Sequence, residues 1–138
     1  VVIVYIVVLV YASSGLPPHS SNSANNNSST EVKKGLVVEN IKEDDAVSSP
    51  LKITGYVNGG GWHGLEGQVG TASLYDGNNN LLDIEPLTAT SEWMTTTVRF
   101  EANLEFNTTA SEGKLVFKNE NASGEPARDK TFVLPVKF

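Results

Sequence analysis

The chain contains no cysteine, one methionine and only two histidines in 138 residues. Without cysteine there is no disulfide framework, no thiolate metal site, no thiol nucleophile and no lipid-modified cysteine. Basic side chains are also scarce: 10 Lys and Arg stand against 16 Asp and Glu, a formal net charge of -6. Duplex binding rests on neutralising phosphates with Lys and Arg, so this balance speaks against a nucleic-acid partner. No long stretch keeps a helical period, which removes helical bundles from consideration. The length fits one domain of ordinary size and leaves no room for a second.

Charge is missing altogether from residues 1–30, apart from what His19 contributes, so all 26 charged side chains fall in the remaining 108 residues. Residues 1–12, VVIVYIVVLVYA, are an uninterrupted apolar run with no polar face at either helical or strand period. A bilayer span takes about 20 apolar residues, so the run is short for one. It starts without Met and without a basic stretch ahead of it. The expectation is a natural chain that begins earlier, with residues 1–12 the remnant of a signal-anchor or of a signal peptide whose small-residue cleavage pattern is Val10-Tyr11-Ala12. A strand of the folded domain is the alternative. The next 18 residues hold seven Ser and four Asn, and Pro17-Pro18 stiffens one end. Residues 13–35 are therefore expected to form a disordered linker, across which a strand at 1–12 would be costly to tie to its sheet. This organisation implies an extracytoplasmic protein, membrane-anchored or secreted, that touches the membrane through its N-terminal segment only. N-glycosylation sequons at Asn26, Asn27, Asn107 and Asn121 carry little weight in so Asn- and Ser-rich a chain.

From Leu36 onward the dominant period is two. In Val98-Arg99-Phe100-Glu101-Ala102-Asn103-Leu104-Glu105-Phe106 apolar and polar residues alternate strictly, which puts every apolar group on one face of a strand. Leu51 to Val57 repeats the pattern, as do Phe132, Leu134, Val136 and Phe138, where Pro135 restricts the strand to an edge or a bulge. Leu115-Val116-Phe117 and Ala72 to Tyr75 are shorter versions. Turn chemistry separates them, for example at Asn58 to Gly61, Asp76-Gly77-Asn78-Asn79 and Ser123-Gly124-Glu125-Pro126. About seven short strands in about 100 residues predict an all-β, antiparallel sandwich over residues 36–138. Its expected core is Ile53, Val57, Leu74, Phe100, Leu104, Phe117 and Leu134.

Ordered landmarks then resemble a known family. Val47-Ser48-Ser49-Pro50-Leu51-Lys52-Ile53-Thr54-Gly55 is similar to an opening strand of the form V-x-S-P-L-x-V-x-G. Trp62 followed by Glu66-Gly67, Leu74-Tyr75-Asp76-Gly77, Glu92-Trp93-Met94-Thr95, and Asn121 to Pro126 with Asp129 and the ending Leu134 to Phe138 follow in order. Together they resemble the immunoglobulin-like domain (Gmad type) of bacterial spore germination and related cell-envelope proteins, over about Val38 to Phe138. Glu120 and Ala122 depart from that pattern, as does the glycine run Gly59-Gly60-Gly61. The resemblance implies an immunoglobulin-like sandwich and an accessory, non-catalytic binding module of the bacterial envelope, with a link to germination.

Little in the chain suggests an enzyme. His19 lies in the linker and His63 beside Trp62 in a glycine-rich loop, and no strand-turn-helix elbow presents a nucleophile to either. The carboxylates lack the spacing of a glycosidase pair. Asp76 to Asn80 places oxygen ligands at alternate positions, but Leu81 and Leu87 stand where an EF-hand loop needs Gly and Glu, so a hairpin turn is expected there. No cofactor or metal is expected. The tryptophans divide: each either caps one end of the core, the favoured reading, or offers a platform for a partner, Trp62 on its flexible loop above all. The candidate ligand-binding residues are Trp62, Glu66, Trp93, Asn121, Ser123 and Asp129, and the expected partner is an envelope protein, with cell-wall glycan as the alternative. A protein binder should show an apolar patch or an unpaired sheet edge, and a glycan binder an exposed Trp beside Asn, Asp or Glu.

Overall fold

A computed structural model describes residues 34–138. The apolar run at 1–12 and nearly all of the linker at 13–35 lie outside the described residues. Seven strands follow one another: β1 (Gly35–Val38), β2 (Leu51–Asn58), β3 (Gln68–Asp76), β4 (Leu81–Ala89), β5 (Thr97–Leu104), β6 (Glu112–Asn119) and β7 (Thr131–Lys137), with a single 3-10 turn at Pro126–Arg128. Among the described residues no helix is long and apolar enough to cross a membrane.

The expected alternation is visible in the burial of the strands. Leu51, Ile53, Gly55 and Val57 of β2 point inward, as do Val98, Phe100, Ala102 and Leu104 of β5, while Lys52, Arg99 and Asn103 face water. All seven residues expected in the core belong to it, joined by Val69, Leu87, Leu115, Val136 and the indole of Trp62. β3 breaks strict alternation at Gly70, where φ is +145° and the register against β4 shifts between Gln68 and Thr71. A Cβ at Gly70 would run into the Lys118 carbonyl of β6, so the bulge depends on glycine.

The strands are antiparallel and hydrogen-bonded in the order β1-β2-β5-β4-β3-β6-β7. Lettered A to G along the chain, this reads A-B-E-D and then C-F-G, the strand allocation of the immunoglobulin constant-type sandwich. The two halves are joined because β4 pairs with β3 from Gln68↔Thr88 to Tyr75↔Leu81, and with β5 only at Thr88↔Glu101 and Ala89↔Phe100. Ahead of β2, the chain crosses over to β7. Ala46 bridges Lys137 in parallel, and the amides of Asp44 and Val47 donate to the carbonyls of Pro135 and Lys137. The seven-stranded sheet therefore nearly closes on itself. Pro135 sits on the edge strand that its missing N–H requires.

Candidate functional site

In an antiparallel ladder the loops after β2, β4 and β6 emerge at the same end of the molecule. All six candidate residues lie on these three loops: Trp62 and Glu66 on 59–67, Trp93 on 90–96, and Asn121, Ser123 and Asp129 on 120–130. Direct contacts tie the loops together. Asn119 Nδ2 donates to the Gly61 carbonyl at 2.7 Å, and Thr97 Oγ1 donates to Asn58 Oδ1 at 2.9 Å. Gly64 lies so close to the Trp93 backbone that a Cβ there would strike the Trp93 carbonyl.

The residues gather, but their functional groups do not converge on open space. Trp62 is only 6 % exposed and belongs to the core, so the exposed platform on a flexible loop is corrected. Gly59, Gly60 and Gly61 all have φ between +64° and +89°, and the Trp62 amide closes the turn on the Gly59 carbonyl at 3.1 Å. The glycine run thus specifies a tight left-handed turn that folds the indole inward, where composition alone suggests looseness. Glu66 (φ +49°) and Gly67 (φ +84°) form a second such turn, bridged by Leu65 and Gln68, so Glu66 is exposed at a turn position. Trp93 is half-buried against the core, leaving the neighbouring Met94 74 % exposed.

The 120–130 loop is held by its own polar groups. Asn121 Nδ2 donates to the Glu125 carbonyl and to Asp129 Oδ1, both at 2.8 Å, and Ser123 Oγ donates to Asn121 Oδ1 at 2.7 Å. Asp129 Oδ2 also lies 3.7 Å from Lys118 Nζ. Asn121, Ser123 and Asp129 are therefore occupied with one another. Asn119, absent from the expected set, anchors the end of the molecule. It is 7 % exposed, its Nδ2 donates to the Gly61 and Arg128 carbonyls, and its Oδ1 accepts from the Lys130 amide. Between these loops lies a cleft of about 320 Å³, whose lining includes His63, Asn119, Asn121, Ser123, Arg128 and Lys130.

The other expected turn, Asp76 to Asn80, joins β3 to β4 as a hairpin. Asp76 Oδ1 accepts from the Asn78 and Asn80 amides and Oδ2 from Asn80 Nδ2, each at 2.9 Å. The side-chain and backbone donors of Asn80, followed by the Asn78 amide, hold this carboxyl below its ordinary range. Both oxygens are used by the turn.

Among the described residues two openings remain in the ladder, and they differ in chemistry. The first lies between β4 and β5. Extending the register beyond Thr88↔Glu101 would set Pro86, which has no N–H, against Asn103, and the ladder stops. Asp83 spans the gap instead, accepting from its neighbour Ile84 and, at 2.7 Å, from the Glu105 amide. A groove of about 440 Å³ remains, lined by Asp83, Glu85, Glu101 and Glu105 among others. Proline and charges are the devices by which proteins guard unpaired strand edges.

The second opening lies between the two edge strands. Its floor is Leu36, Val37, Val38 and Ile41 on one side and Phe132 and Leu134 on the other, around a cavity of about 220 Å³. The backbones of Pro135 and Lys137 face outward to receive the 44–47 segment, so by strand alternation the N–H and C=O groups of Thr131 and Val133 face outward too. Among the described residues no backbone group pairs with them. Phe132 is 40 % and Val133 49 % exposed, with Phe132 resting on Phe117 at 6.0 Å between ring centroids. This edge carries neither a proline at its free positions nor a charge, which Leu36 to Val38 of β1 also lack.

No family model, curated protein or solved structure matches the chain.

Proposed function

We propose that the protein is a non-catalytic, extracytoplasmic accessory module of the bacterial cell envelope that binds another protein through the free edge of β7. The observation that carries this reading is the unguarded apolar seam between β1 and β7, with Phe132 exposed on it and Val133 exposed on the opposite face of the same strand. An unpaired, flat strand edge is a template for a further strand, and an apolar seam beside it adds affinity through burial. The envelope location draws its support from the apolar run at 1–12, the Ser/Asn-rich linker and the order of landmarks resembling a germination-associated family.

Cell-wall glycan is the second reading, favoured by the cleft whose lining includes His63, Asn121 and Lys130. It has less support because the Trp62 ring is buried and the loop amides and hydroxyls are engaged internally. Retention of the full chain on purified peptidoglycan separates the two. A protein-binding module stays in the supernatant at all loadings, and saturable retention would transfer the function to the loop cleft.

A further inference from the structure

The edge of β7 is complementary to itself, and we infer that its partner is a second copy of this chain, paired antiparallel about a two-fold axis through Phe132. This rests on the reading of that edge as the binding surface. The outward-facing backbones are those of Thr131 and Val133, one on each side of Phe132. In a two-fold antiparallel pair Thr131 exchanges both hydrogen bonds with the partner's Val133, and Val133 with the partner's Thr131. The two Phe132 residues then form the close, non-hydrogen-bonded rung between them. Phe132 and Val133, now 40 % and 49 % exposed, are covered in the same step.

Charge agrees with this arrangement. At the Pro135 end of the free stretch the crossing segment carries Glu43, Asp44 and Asp45, beside Lys42 and Lys137. At the Thr131 end stand Lys130, Lys34 and Glu120, outside the ion pairs among the described residues that use up Arg128 with Glu125 and Lys118 with Asp129. The two-fold axis places the cationic end of each copy against the anionic end of the other. The pairing also closes. The 44–47 segment already covers Pro135 to Lys137, so the free stretch is short, and a self-complementary contact consumes it in both copies and gives a dimer with no further growth.

The absence of native cysteine makes a direct test available. A non-hydrogen-bonded antiparallel rung brings the Cα atoms to about 4.5 Å, within the range a disulfide spans. Under mild oxidation the purified full-length Phe132→Cys chain should form a covalent dimer, in yield about ten-fold or more above Met94→Cys, because pairing raises the effective concentration. Met94 is the stricter control, being 74 % exposed. Adding Val133→Pro, which removes an outward N–H and leaves the β6 ladder intact, should abolish that dimer. Equal yields at 132 and 94, or a dimer indifferent to Val133→Pro, would overturn the inference. Capture of a different protein by Phe132→Cys in intact envelopes, with no dimer, would overturn the second-copy assignment and leave the edge as a binding surface. No adduct of either kind would overturn both.

Discussion

Asn119 shows how one side chain organises the loop end. Its amide group satisfies two carbonyls and one N–H from two different loops while almost fully buried. Asn119→Ala would leave all three partners without their hydrogen bonds, and the expected loss is about 2 kcal/mol or more in urea unfolding. Asn121→Ala, in a more exposed network, should cost about 1 kcal/mol or less. The sequence carried a sign of this: Leu115, Phe117 and Asn119 share one strand face, and a polar residue at an inward position implies a buried, satisfied amide. The candidate residues were legible as a group, because loop chemistry marks loops and antiparallel order places those loops together. Their roles were not. Whether the Trp62 ring faces in or out depends on the φ angles of three glycines, and composition does not distinguish a glycine required by a turn from one that is merely mobile.

Among the elements, β2 and β5 were readable in full because each buries one face and solvates the other. β4 was not read as a strand at all. Asp83, Glu85 and Pro86 interrupt its apolar pattern, since this strand leaves β5 at a guarded opening and keeps only Leu87 fully in the core. The pairing of β1 with β2 hangs on a close approach that the pattern also hid. A Cβ at Gly55 would collide with the Val37 carbonyl and come within 2.9 Å of the Phe100 ring. Gly55→Ala should therefore destabilise the fold by about 1 to 3 kcal/mol through overpacking, with amide exchange rising first in β1. Gly59→Ala meets no neighbour within 4 Å and bears only the cost of a left-handed φ, about 1 to 2 kcal/mol. The two variants separate crowding from backbone strain in one denaturation experiment.

At the scale of the described residues, the sandwich presents a guarded gap, a loop cleft and a bare edge, and the proposed function belongs to the edge. A photo-reactive residue at Val133 of the full-length chain, displayed in intact envelopes, tests this most directly, with Asn103 on the exposed face of β5 as the control position. Discrete protein adducts are expected from Val133, whether a second copy or another protein, and none from Asn103. Equal labelling from both positions, or adducts to glycan alone, would contradict it.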